Sequence, residues 1–270
     1  MSADKEAEAR LVIDAARERG IYLRLVGGLA IKFHCPSATY RSLARGYADI
    51  DYCGYHRQAI AIKRLFEDLG YAGNKRFNAM QGRKRLMFAH LDKDVDVDIF
   101  LDLFEMCHKL NLARRLELDD YTVPLADLLL SKLQIVQVNE RDIKDVFSLL
   151  HDHALGAATG KETIDLPYIV ALTSDDWGWH MTVRNTVDKC LNLTDKYLDG
   201  EAKPKVVGKL MRLKEAMETA PKTMRWKLRA QVGERVRWYD LPEDMGAVKE
   251  AGRDEAAETT QTDKRSNGGN

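Results

Sequence analysis

Net charge is the first thing this chain lacks. Its 42 lysines and arginines balance 42 aspartates and glutamates, so no overall field drives it towards nucleic acid or a membrane surface. The four cysteines, Cys35, Cys53, Cys107 and Cys190, include no CxxC pair and stand far apart, which argues against a zinc module and for reduced thiols. No apolar run approaches the roughly 20 residues of a membrane span, so no membrane association is expected. The start, Met1 to Arg10, carries too many charges for a signal peptide. What remains is the composition of a soluble, cytoplasmic protein, and 270 residues suffice for one large or two modest domains.

Against that neutral background the acids are unevenly placed. Asp49-Ile50-Asp51 sets two carboxylates one residue apart, and on a strand both face the same way while Ile50 packs inward. A third acid from another strand completes a cage for Mg²⁺. A nucleoside triphosphate brings negative charge that hard cations must offset, and a two-metal site holds its ions roughly 3.5–4 Å apart through a bridging carboxylate. Upstream, Gly27-Gly28 follows the apolar run Ile21 to Val26 and precedes the helix-like Leu29 to Phe33. Glycine there lets backbone N–H groups approach phosphate oxygens at a helix N-terminus. Each half alone has an ordinary alternative, a solvated strand face for the acids and a turn for the glycines.

Together and in this order, the two halves resemble the polymerase-β-like nucleotidyltransferase superfamily, whose signature is a strand ending in Gly-Gly or Gly-Ser, a helix, then a strand carrying DxD. The resemblance covers about the first 150 residues. It implies an α+β fold, a small mixed sheet with flanking helices, here followed by an all-helical domain. It also implies a transferase using two Mg²⁺ ions and a nucleoside triphosphate, ATP among them, with Asp49 and Asp51 as metal ligands. The gap from Gly28 to Asp49 exceeds the spacing usual in that superfamily, and His34 to Arg41 reads as an inserted loop. Lys32, Arg41 and Arg45 flank the insert as candidate phosphate contacts or as a surface cluster.

The third acid comes from a predicted hairpin, Arg85–His90 and Val95–Leu101, joined by the polar turn Leu91-Asp92-Lys93-Asp94. On its second strand Asp94, Asp96, Asp98 and Asp102 share one face and Val95, Val97, Ile99 and Leu101 the other. Four like charges on one face are costly unless cations or solvent offset them. Asp94 and Asp102 read as solvated; between Asp96 and Asp98, the family resemblance favours Asp98.

Pro124 to Val136 reads as a helix with Leu125, Leu128, Leu129, Ile135 and Val136 on its buried face and Lys132 in the middle of it. A lysine is almost never buried without a partner, so Lys132 meets carboxylates or a triphosphate, unless it snorkels to solvent. Branches of the superfamily including AbiEii-type abortive-infection toxins pair the DxD with a helical lysine and a downstream acidic helix. The segment Arg141-Asp142-Ile143-Lys144-Asp145 is similar to that last element and makes the chain a toxin–antitoxin candidate. On this helix Asp142 borders the apolar stripe, where it orients Lys132 or serves as N-terminal charge, whereas Asp145 points farther towards solvent. His151-Asp152-His153 reads as a polar helix end.

Downstream, small and flexible Ala154 to Gly160 suggests a hinge between a nucleotidyltransferase domain over residues 1–153 and a helical domain over 161–245. Helices are expected over Asp175–Leu198, Pro204–Thr219 and Lys222–Tyr239. The basic stretch 203–237, interleaved with Trp226, Trp238 and Tyr239, is either a solvated face or a surface for RNA phosphates and bases. The tail, 246–270, is polar and aperiodic and is expected to be disordered. The assembled expectation is in-line transfer of a nucleoside monophosphate to a hydroxyl on RNA, protein or a small molecule, with pyrophosphate released. Asp49, Asp51 and Asp98 hold metal in that scheme, Lys132 offsets charge, and Gly27, Gly28, Lys32 and Arg45 hold the phosphates. The alternative is a non-catalytic nucleotide- or partner-binding module on the same scaffold.

Overall fold

The computed structural model describes residues 4–158, 160–242, 248–254 and 257. Helix α1 (Lys5–Glu18) opens on an Asp4 cap whose side chain accepts from Glu6 N–H and turns Ala9, Val12, Ile13 and Ala16 inward. It leads into β1 (Leu23–Val26), α2 (Gly27–His34), β2 (Ile50–Gly54), α3 (Ala59–Asp68), β3 (Ala72–Gly73), α4 (Lys75–Gln81), β4 (Arg85–His90) and β5 (Val95–Leu101). The strands form one mixed sheet in the order β1-β2-β5-β4-β3. Within it β2 and β5 run parallel, and the other three pairs are antiparallel. The expected hairpin is present with the expected bounds, Arg85 opposite Phe100 and His90 opposite Val95.

Because β5 is central, its Val95, Val97, Ile99 and Leu101 are buried. Each large apolar side chain so buried contributes about 1.5–3 kcal/mol. The opposite face carries Asp96 and Asp98. The outer two acids of the predicted row leave the strand at turns, Asp94 at φ +52° and Asp102 at φ +61°, and Asp94 is exposed as expected.

Beyond the sheet lie the hairpin β6 (Leu103–Glu105) and β7 (Lys109–Asn111), then α5 (Leu125–Leu133) and α6 (Glu140–Asp152). Asn139 caps α6 through a capping box with Asp142. The segment predicted to be an insert does not stand out from the body: Ser37, Ala38 and Leu43 are buried, and Ser37 N–H donates to Asp152 at 2.9 Å.

Nor is Ala154 to Gly160 a hinge that parts two cores. Ala154–Gly156 forms β8, paired in parallel with β9 (Thr163–Asp165), because Leu155 and Ile164 both enter the shared interior. One apolar cluster runs from Ala9 to Met217, through α7 (Leu166–Asp175), α8 (Trp177–Tyr197) and α9 (Ala202–Thr219). Helix α7 is absent from the sequence expectation. The last predicted helix is shorter than expected: α10 (Met224–Val232) stops where Gly233 takes φ +61°, a conformation glycine adopts without strain. The chain described here is therefore α+β, and among the described residues no helix is long and apolar enough to cross a membrane.

The tail also departs from expectation. Residues 248–254 are helical, held by charges that aperiodic sequence does not advertise, whereas 246–247, 255–256 and 258–270 lie outside the described residues.

Two histidines make this packing sensitive to acid. His108 stacks on Trp179 at 4.8 Å between ring centres, and its Nε2 lies 2.8 Å from Thr182 Oγ1; His180 meets Trp226 edge-on at 5.3 Å. Burial lowers both to about 4, helped at His180 by Lys222 and Arg184. They stay neutral in the fold while the unfolded chain takes up protons below about 6.5. The stability they lend is complete above that pH and is lost as pH falls through about 4. His180→Gln removes one of these groups, so its stability deficit relative to wild type, from urea unfolding midpoints, should shrink between pH 7 and pH 4.5. A deficit independent of pH would contradict this origin.

Candidate functional site

The site assembles where the end of β1, the start of β2 and the middle of β5 lie side by side. Val26, the last residue of β1, pairs with Asp51 on β2, and Asp51 pairs with Asp98 on β5. One register line thus carries the glycine turn, the second acid of the DxD and the third acid. Asp49 stands just before β2 rather than within it. These three acids and Gly27 line a cavity of about 500 Å³ with Ser131 and Lys132 of α5, Asp142 of α6, Arg85 of β4 and Lys249.

Gly27 and Gly28 each answer a close approach. Gly27 has φ +74°, and a Cβ there would sit 2.8 Å from Asp51 Oδ2. At Gly28 a Cβ would overlap the Arg45 guanidinium. Helix α2 begins at this pair, and its capping residue, Val26, offers no side-chain acceptor, so among the described residues its first N–H groups have no side-chain cap.

The acids differ in their surroundings. Asp98 is buried, with 1 % exposure; its Oδ1 accepts from Arg85 Nε at 2.9 Å and its Oδ2 lies 2.8 Å from Lys249 Nζ. Asp49 Oδ2 also accepts from Lys249 Nζ. Among the described residues Asp51 has no such cation in contact, and burial together with Asp98 and Asp49 pushes its pKa well above the usual carboxylate range. Among the described residues no three acid, histidine or cysteine side chains are gathered as a ready metal cluster. Asp49 and Asp98 converge on an ammonium instead.

Lys132 sits where the sequence placed it, but its partners are protein carboxylates. Its Nζ lies 3.1 Å from Asp142 Oδ1 and 3.0 Å from Asp145 Oδ2. Burial works against its charge, yet Asp145 and Asp142 outweigh it and raise its pKa. Asp145 does not point to solvent: it is buried at 4 % and also binds Arg45 through two bonds of 2.7 Å. Arg45 comes from the connection just after the segment read as an insert, far from α6 in sequence, which is why the helix pattern alone misplaced Asp145. Arg45 and Lys132 thus share one acidic helix face, Arg45 outside the cavity lining and Lys132 on it.

Lys32 does not reach the cavity. It pairs with Glu6 at 3.4 Å and lies over Tyr47. Arg41 is exposed and also lies outside the lining. The residues sequence reasoning missed are Arg85, Lys249 and Arg253, which binds Asp96 at 2.7 Å and Asp94 at 2.6 Å. Lys249 and Arg253 are four residues apart, one helical turn, and face the acids of β5. That spacing was legible, but it lay in a segment without apolar periodicity.

The basic stretch of 203–237 is largely engaged within the chain. Arg225 pairs with Asp175 and Asp176, Arg229 donates to the carbonyls of Gly233 and Val236, Lys214 binds Asp188 and Lys209 donates to Leu150 O and His153 O. Trp238 Nε1 donates to Thr182. His151 and His153 likewise bind Asp152 and the carbonyls of His34 and Glu162. No protein-family model matches the chain, and no curated protein matches it.

Two outcomes follow from this geometry. Gly28→Ala must push Arg45 off Asp145, so urea unfolding should show a loss of about 1–3 kcal/mol; wild-type stability would mean that Arg45 moves freely. Lys132→Met leaves Asp142 and Asp145 buried with less positive charge, and a loss of about 3–5 kcal/mol is expected. A loss under about 1 kcal/mol would place that ion pair among those exposed to solvent.

Proposed function

We propose that the chain is a Mg²⁺-dependent nucleotidyltransferase of the polymerase-β-like fold, moving a nucleoside monophosphate from a triphosphate to a hydroxyl acceptor. The observation that carries this is the shared register of the Val26-Gly27 turn, Asp51 and Asp98 around one cavity. Buried like charges side by side are costly, and here they face open space that a cation and a triphosphate can fill.

The carboxylates fit a cation on physical grounds. Burial, Asp98 and Asp49 disfavour the charge of Asp51 and raise its pKa, and Asp98 Oδ2 has Lys249 as its sole near donor among the described residues. Asp49, Asp51 and Asp98 are the residues that would hold Mg²⁺. Bound there, Mg²⁺ supplies neutralisation of the triphosphate and of the attacking oxygen.

The chain's own groups provide the rest. The uncapped N–H groups at the start of α2 suit phosphate oxygens, and Lys132, already fixed by Asp142 and Asp145, presents a positive edge to the same space. Arg85, between Asp98 and the cavity, is a further cation for the phosphates. The acceptor oxygen attacks the α-phosphorus, the bond to the β-phosphate bridging oxygen breaks and pyrophosphate leaves in line. In this scheme the acceptor's proton goes to the carboxylate of Asp98. A second cavity of about 480 Å³ shares Arg85, Phe100, Met106 and Pro242 with the first and is the space from which an acceptor approaches. RNA, protein and small molecules remain the acceptor classes, and the engaged arginines of α10 do not favour RNA.

A non-catalytic module, as in a toxin–antitoxin partner, is the second reading, and the placement of Lys249 between Asp49 and Asp98 favours it. Purified chain incubated with Mg²⁺, α-labelled nucleoside triphosphates and, in turn, total tRNA, a protein mixture and an aminoglycoside separates the two. Transfer of label is expected, falling about 10²-fold or more in Asp49→Asn and Asp51→Asn with unchanged circular dichroism. No transfer to any acceptor, with Asp49→Ala leaving Mg²⁺ and ATP binding intact, would overturn the enzyme reading.

A further inference from the structure

Two of the three acids of the cage already meet a lysine of the chain itself. Lys249 Nζ bonds to Asp49 and lies 2.8 Å from Asp98 Oδ2. One turn later Arg253 binds Asp96 at 2.7 Å and Asp94 at 2.6 Å. On the other side Asn74 Nδ2 donates to Val248 O at 3.0 Å. Asn74 is itself fixed as the cap of α4, accepting from Phe77 N–H at 2.9 Å. Gly252 lies so close to Asn74 that any Cβ there would overlap its side-chain amide. Helix 248–254 is therefore seated by a capped asparagine, a glycine that permits contact and two cations set one turn apart on two pairs of acids.

We propose that helix 248–254 is an intramolecular plug in which Lys249 takes the position of the divalent cation between Asp49 and Asp98, so that metal and triphosphate bind only when the segment is displaced. The charges support competition rather than cooperation. Lys249 brings one positive charge to a cage of three carboxylates, bonding two of them. A divalent ion offsets more of that charge. The ammonium of Lys249 lies within bonding reach of a carboxylate oxygen of each of Asp49 and Asp98. A tethered group at millimolar effective concentration holds such a site against dilute ligand and yields to abundant ligand. This inference rests on the cation-binding reading of the cage.

The test is Mn²⁺ binding to the full chain by isothermal titration calorimetry in wild type, Lys249→Ala and Arg253→Ala, with amide hydrogen exchange of residues 248–254 followed in the wild type. A site competent in one molecule in ten binds about tenfold more weakly than the open site. Lys249→Ala should therefore tighten Mn²⁺ binding about tenfold, and Arg253→Ala should tighten it less, since Lys249 remains in place. Mn²⁺ should speed exchange across 248–254 in the wild type. Equal affinity in all three proteins with unchanged exchange overturns the plug and leaves the cation site standing. Absence of Mn²⁺ binding in all three overturns the cation site, and the plug with it.

Discussion

Asp51 and Asp98 are register partners on the one parallel strand pair of the main sheet, and carboxylates held that close repel wherever water cannot screen them. The surrounding groups act on that repulsion. Arg85 takes one oxygen of Asp98, Lys249 meets the other and reaches Asp49, and Asp51 is left with a raised pKa. A fold selected for stability alone would place apolar side chains at such positions, because a buried ion pair rarely outperforms good packing. Three acids around one cavity are the feature on which the proposed cation site rests.

Around this cage stands a second set of charges that is already complete. Arg45 and Lys132 share Asp145, Lys132 also meets Asp142, and Asp142 closes the capping box of α6. This network joins the long connection after α2 to α5 and α6. It brings the guanidinium of Arg45 against Gly28, so the glycine turn is fixed from behind while Gly27 lines the cavity. The two networks divide the work: one is neutralised and holds the scaffold rigid, the other is short of positive charge and faces open space. Rigid support beneath a group that must bind a ligand reduces the ordering cost of binding.

Much of this was legible from local pattern. The β4–β5 hairpin follows from two apolar runs around a polar turn, and the burial of Lys132 follows from its place on an apolar helix face. The register of Asp51 with Asp98 could only be expected from the family resemblance, since parallel pairing joins segments far apart in sequence. Other features depend on tertiary contacts that periodicity does not encode. Asp145 looks solvent-facing on a helical wheel until Arg45 arrives from a loop a hundred residues earlier. Ala154 to Gly160 looks like a hinge because small residues are flexible in isolation, yet Leu155 pairs beside Ile164 and enters the common core. Helix 248–254 has almost no apolar face, so its order comes from Lys249, Arg253 and Asn74 meeting partners elsewhere, which a composition argument for disorder does not weigh.

The claim at the centre of this account is that Asp49, Asp51 and Asp98 form a divalent-cation site now met by a lysine of the same chain. The most direct measurement is anomalous diffraction from crystals grown with Mn²⁺ and a non-hydrolysable triphosphate. The account predicts anomalous density among the three carboxylates, triphosphate oxygens at the start of α2, and Lys249 withdrawn from Asp49 and Asp98. Lys249 still bonded to both acids at saturating Mn²⁺ and triphosphate, with no anomalous density in the cage, would contradict it.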